Sequence, residues 1–175
     1  MLVSALAIAI LQQAPVEEVD WDKEFGIEER ARDPETGEFP VEPYVQDNAN
    51  AGADPSDSTR LAKKFGGREG VTRIAERTIE LSEADPRIAD IFVAHDTVRL
   101  KRTLSEQFCY LLNAGCDYTG RDMKAAHDGM GLTRADLNAL VENLQQAMRE
   151  AKVPFSAQNK LLSKLAPMSG QVVER

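Results

Sequence analysis

Histidine, cysteine and tryptophan are scarce in this 175-residue chain: two, two and one. No apolar run reaches the roughly 20 residues needed for a helix to span a bilayer, so no stable membrane span is expected. Basic charge is also thin, with 21 Lys and Arg against 29 Asp and Glu and a net charge of -8. No cationic patch is dense enough to neutralise a run of phosphates, which argues against a nucleic-acid partner. Cys109 and Cys116 lie seven apart, a spacing that fits neither a Cys-x-x-Cys redox motif nor a zinc knuckle. They read equally well as inert reduced thiols or as one local disulfide in an exported protein.

What is present falls into three stretches. Residues 1–14 contain an uninterrupted apolar run, Leu2 to Leu11, with the length of a signal-peptide core. It lacks the usual basic segment before it, and Pro15 is badly placed after a cleavage point at Ala14. The expectation is a periplasmic or exported protein with an incomplete start; the alternatives are an apolar tail and a cytoplasmic chain. Residues 15–60 are rich in acids, Pro, Gly, Asn and Asp, with isolated Trp21, Phe25, Phe39 and Tyr44. Too little apolar surface is present to offset the ordering entropy, so this stretch is expected to be a mostly disordered linker.

Residues 61–170 read as an all-α domain with no convincing strand. Val71, Ile74, Ala75, Thr78 and Leu81 follow helical spacing up to Asp85-Pro86, where the proline disfavours helix in the residue before it. A short helical turn is expected from Arg87 to Phe92. Asp96 or Thr97 is placed to cap a helix whose Leu100, Leu104, Phe108 and Leu111 share a face until Gly115. A loop and a short helix bearing His127 follow, ending at Gly129 to Gly131. Thr133 is placed to cap a long helix with Leu137, Leu140, Val141, Leu144, Ala147 and Met148 on one stripe. After Pro154, Ser156 is expected to cap the last helix, with Leu161, Leu162 and Leu165 inside.

His127 is the residue on which function turns. Met123 lies four before it and Met130 three after, a spacing that sets one imidazole and two thioethers on one apolar face. Such a histidine is either a hydrogen-bonded core residue or a ligand to a metal held in an apolar cleft. The broad Leu, Phe and Met faces of the helices can pack on one another or close around a flat apolar cofactor. Periodicity does not decide between these.

The order of elements and several motifs resemble the group I truncated haemoglobins. They are Phe65-Gly-Gly-Arg-Glu-Gly-Val, Ala84-Asp-Pro-Arg-Ile, Ile91-Phe92, Arg99-Leu-Lys, the run from Tyr118 to Gly131, and Val153-Pro-Phe-Ser-Ala-Gln-Asn-Lys-Leu-Leu. The most specific is the Tyr-Thr-Gly-Arg-Asp-Met run with His127 nine residues after Tyr118. The resemblance covers about Leu61 to Met168 and none of the N-terminal stretch.

The resemblance implies a truncated globin two-over-two helical sandwich, with the first globin helix nearly absent and haem b between helix pairs. His127 becomes the proximal iron ligand, its other ring nitrogen donating to a backbone carbonyl one turn back. Phe92 matches the phenylalanine that wedges against the haem plane. Leu100 and Leu104 fall on the distal helix with Phe108 one turn further, and Tyr118, Met123, Leu137, Leu140 and Leu144 match the rest of the pocket lining. Lys101 falls where a basic residue meets a haem propionate, with Arg99 and Arg121 as weaker candidates.

The pattern departs from the family on the distal side. Where well-known members have a tyrosine, and often a glutamine, over the iron, this chain has Ile79 and Leu104, beside Leu100. A hydrogen bond to a charged group contributes about 1.5 to 3 kcal/mol. Without those donors oxygen is expected to leave on the order of ten to a hundredfold faster. Thr78 or Thr103 would restore a hydroxyl only if the register or a rotamer brought it in. His95, in the connection before the distal helix, reads as a surface residue or as a sixth iron ligand. The loop that usually has a Gly-Gly pair reads Asn113-Ala114-Gly115, and the cysteines bracket it.

Three classes of function follow. The leading one is reversible binding of oxygen, nitric oxide or carbon monoxide at ferrous haem iron, supported by an unidentified reductase. The second is an enzyme, a nitric oxide dioxygenase or weak peroxidase, which an apolar distal side supports poorly. The third is a haem-free helical interaction module in which His127 is core.

Overall fold

The computed structural model describes residues 31–93 and 95–175; the apolar run at 2–11 lies outside them. Eight α-helices and two 3-10 turns, at Asn48–Ala51 and Ala166–Met168, make up the described regular structure, with no strand among the described residues. The helices are α1 (Arg60–Lys64), α2 (Gly67–Ala84), α3 (Ala89–Val93), α4 (Thr97–Leu111), α5 (Met123–His127), α6 (Arg134–Glu150), α7 (Phe155–Leu165) and α8 (Ser169–Val172). None is long and apolar enough to cross a membrane.

The centre of the fold is α2, on which both α4 and α6 pack extensively while making at most slight contact with each other. The shared core holds Val71, Ile74 and Ala75 of α2, Phe108 and Cys109 of α4, and Leu144, Ala147 and Met148 of α6, closed by Ala157 and Leu161 of α7. Their recurrence at three and four residues is the helical spacing read from the sequence. A smaller cluster gathers Ala51, Leu111, Tyr118, Met123 and Met168.

Capping follows the sequence in part. Thr133 and Asp136 form a reciprocal capping box at the start of α6, which satisfies otherwise orphaned amides. Asp96 occupies the N-cap position of α4 but makes no side-chain cap bond; its carboxylate accepts from the Phe39 amide and from Arg32 instead. At α7 the cap position is Pro154, not Ser156. Asp85, at the end of α2, accepts from Arg87 and Asn143 and so ties α2 to α6. The Arg87 bonds hold its carboxyl well below the usual carboxylate range.

The expectation of a mostly disordered segment does not describe the second half of 15–60. From Arg32 to Ser58 the chain lies against α4 and the loop after it, held by polar bonds in place of an apolar core. Glu38 is buried between Arg99 and Arg102, and the Tyr44 hydroxyl donates to the Thr119 carbonyl at 2.8 Å. Asn48 accepts from the Tyr118 amide and Asn50 donates to the Gly120 carbonyl. Near its end the Ser56 amide donates to the Leu111 carbonyl. Low hydrophobicity misleads because polar bonds and ion pairs to distant partners, with only small apolar residues such as Ala51 buried, order this stretch.

Candidate functional site

The apolar stripes of α4 and α6 are each divided along their length. On α4, Phe108, Cys109 and Leu111 are buried, whereas Leu100 and Leu104 are only half-buried. On α6, Leu144, Ala147 and Met148 are buried, whereas Leu137, Leu140 and Val141 are half-buried. The N-terminal halves of both helices thus carry apolar side chains that the protein covers only in part, Leu104 against the main core, and Phe92 of α3 is half-buried likewise. Both helices pack on α2 and make at most slight contact with each other, so each keeps half-buried apolar side chains of the kind that line an apolar ligand site.

His127 closes α5 and is half-buried. Asp122 caps this short helix by accepting from the Ala125 amide at 2.9 Å. After His127 the chain reverses through Gly129 (φ 76°) and Gly131 (φ 64°), conformations that side chains with a Cβ rarely adopt. The amides of both glycines donate to the Glu174 carboxylate, at 2.7 and 2.5 Å. The decisive contact is at the ring: His127 Nδ1 lies 2.6 Å from the Met123 carbonyl oxygen, one turn back. A carbonyl only accepts, so Nδ1 bears the proton, and in the neutral ring Nε2 carries the lone pair. Among the described residues no group of three or more His, Cys, Asp or Glu is placed to hold a metal ion.

With this geometry in place, the comparisons decide the family. A model of the bacterial-like globins matches residues 61–174. This chain belongs to the bacterial-like globin family. It is 28% identical over 117 residues to the group 1 truncated hemoglobin GlbN of Mycolicibacterium paratuberculosis, covering 67% of this chain and 86% of that one. Its fold matches the truncated hemoglobin of Tetrahymena pyriformis in the Fe(III) form, with a TM-score of 0.62 and 22% identity over 66% of this chain and 98% of that one. It also matches the 2/2 hemoglobin of Synechococcus sp. PCC 7002 in the cyanomet state with covalently attached heme, with a TM-score of 0.60, 26% identity and the same coverage. The fold is the truncated globin fold, and the chain is a haem-binding globin whose family binds gaseous ligands.

The residues present fit such a group. A neutral imidazole with its Nε2 lone pair free would supply a donor to the iron, and the half-buried apolar side chains of α3, α4 and α6 would supply a lining. Of the predicted lining residues, Phe92, Leu100, Leu104, Leu137 and Leu140 are half-buried, Leu104 against the main core. Phe108 and Leu144 lie in the main core, and Tyr118 and Met123 in the smaller cluster. The Met123 sulfur accepts from buried Gln107, and its carbonyl accepts from the His127 ring. Tyr118 donates its hydroxyl to the Arg121 carbonyl, and burial pushes that phenol well above its usual range.

Ile79 is fully buried on α2. The two alternative hydroxyls are committed to the backbone, that of Thr78 to the Ile74 carbonyl and that of Thr103 to the Arg99 and Leu100 carbonyls. His95 is exposed, as the surface reading expects. Of the basic candidates, Arg99 and Arg121 are held by the N-terminal segment, through Glu38, the Phe39 carbonyl and the Glu42 carbonyl. Lys101 reaches only Glu83, at 3.9 Å.

Sequence reading missed Glu38 and Gln107. Neither lies on an apolar period, and each is buried because a long polar side chain finds partners from a distant segment. The signal for Glu38 was the pair Arg99 and Arg102, three apart on one helical face with more cation than local acid to meet it.

Proposed function

We propose that this globin binds haem b through His127 Nε2 and takes a diatomic gas reversibly on the opposite, apolar side of the cleft. The observation that carries the reading is the Nδ1 to Met123 carbonyl hydrogen bond, which fixes the tautomer a metal ligand needs and raises its basicity. Haem supplies ferrous iron with one axial position open to oxygen, nitric oxide or carbon monoxide. The residues that would hold it are His127 as the donor to iron, Phe92, Leu100, Leu104, Leu137 and Leu140 as apolar lining, and Lys101 for a propionate. These apolar walls exclude water from the gas site.

Storage, delivery or sensing is favoured over catalysis. Peroxide cleavage benefits from a distal acid or base, and the hydroxyls nearest in sequence, Thr78 and Thr103, already donate to backbone carbonyls. Titration of the protein with haemin, followed by absorption, tests the proposal. The wild type develops a strong Soret band and His127→Ala develops a weakened, shifted one; a band of unchanged position and strength in the variant defeats the assignment.

A further inference from the structure

Helix α4 presents two faces to two different environments. Leu100 and Leu104, one turn apart, are half-buried on the cleft side, while Arg99, Arg102 and Glu106 recur at three and four residues on another face. That second face is held by a charge network whose other members come from outside the helix. Arg102 meets Glu38 through Nε and Nη2, the latter at 3.1 Å, and Glu106 through Nη1 at 2.8 Å. Arg99 Nη2 lies 3.1 Å from Glu38 and donates to the Phe39 carbonyl at 2.6 Å. Glu106 in turn accepts from the amide and hydroxyl of Thr119 at 3.0 and 2.7 Å, in the loop that leads to the His127 helix.

Glu38 is thus a buried acid clamped by two arginines of one helix, and it belongs to a segment outside the globin match at 61–174. The fit is enforced rather than relaxed. Arg99 Nε is a buried donor with no acceptor among the described residues, a cost accepted only where stronger interactions dictate the side chain's position.

We propose that the segment Arg32–Ser58 is a strap that sets the rotation of α4 about its axis, with Glu38 as the positioning residue acting through Arg99 and Arg102 on the cleft side chains Leu100 and Leu104. A helix transmits such a constraint because it moves as a rigid element. Removing the charge at one face lets the helix roll, and the apolar wall over the gas site shifts with it. This inference rests on the haem reading above.

The test uses the full chain reconstituted with haemin, comparing wild type with Glu38→Gln, which preserves shape and removes charge. After the bound haemin is reduced to the ferrous state with dithionite, carbon monoxide is the probe, because its stretching frequency reports the groups around the gas site and is insensitive to a loss of global stability alone. Glu38→Gln is expected to shift or split that band and to release haemin to an acceptor globin about tenfold faster, the scale of an ordinary coupling between sites. Glu35→Gln, an exposed change on the same strap, is expected to leave both readouts as in wild type. If Glu38→Gln does not fold, Tyr44→Phe decides, since it frees the strap from the Thr119 carbonyl without stranding a buried charge; the same shift at smaller amplitude is expected. A wild-type band and haemin-loss rate in the folded variant overturn the strap. A wild type that takes up no haemin overturns the haem reading itself, so the two failures are distinguishable.

Discussion

Leu104 and Ile79 bear on what the cleft does with a gas, as His127 bears on whether it holds one. On the proposed reading both offer hydrocarbon to a ligand that develops partial negative charge when it is oxygen. The neighbouring hydroxyls of Thr78 and Thr103 donate to backbone carbonyls of their own helices, so a donor to the gas would have to give up that bond. Leu104→Gln, a half-buried position on α4, is therefore expected to slow oxygen dissociation by about ten to a hundredfold, the equivalent of a hydrogen bond to a charged group. Stopped-flow displacement of oxygen by carbon monoxide measures it, and an unchanged rate would show that a donor already acts there. The helices that carry Leu100, Leu104 and His127 were legible in the sequence because each is tied to a local motif or period. The burial of Met123 beside Ala51 and Met168 was not, because those partners come from segments distant in sequence.

Among the elements, α6 has the clearest sequence signature. Its stripe and its Thr133 cap were both readable, and the structure adds the reciprocal bond from the Thr133 amide to Asp136. That cap fixes the end of α6 that holds Leu137 and Leu140. Thr133→Ala is expected to lower the unfolding free energy by about 1 kcal/mol, measured by urea denaturation, without abolishing haemin uptake. The starts of α4 and α7 were less legible. Asp96 looked like a cap, but a carboxylate beside the strap finds the Phe39 amide and Arg32, and long-range partners of that kind leave no trace in local spacing. At α7 the backbone N-cap falls on Pro154, where no side chain is available to cap.

Across the molecule, the globin part of the fold was readable from periodicity, order and motif, and the strap was not. Its Asp, Asn and Glu side chains are what a disordered segment would contain, and only the placement of their partners on α4 and the loop at Thr119 to Arg121 distinguishes the two cases. The same loop is pinned at its start by a disulfide between Cys109 and Cys116, with Cα atoms 5.6 Å apart, settling a pairing that spacing had left open. Closing so short a loop stabilises the fold by about 2 kcal/mol through the unfolded chain. Thiol titration of unfolded, unreduced protein is accordingly expected to find no free thiol, and a reductant to lower the melting temperature by a few degrees, roughly as such a loss does in a domain of this size.

The haem reading depends on His127 as the donor to iron, and the most direct measurement is the ferrous absorption spectrum of the haemin-reconstituted His127→Gly variant with and without added imidazole. The variant keeps the cleft but removes the ring that the Met123 carbonyl orients. The predicted result is loss of the wild-type spectrum in the variant and its return when imidazole is added; a wild-type spectrum in the variant before any imidazole is present would contradict the account.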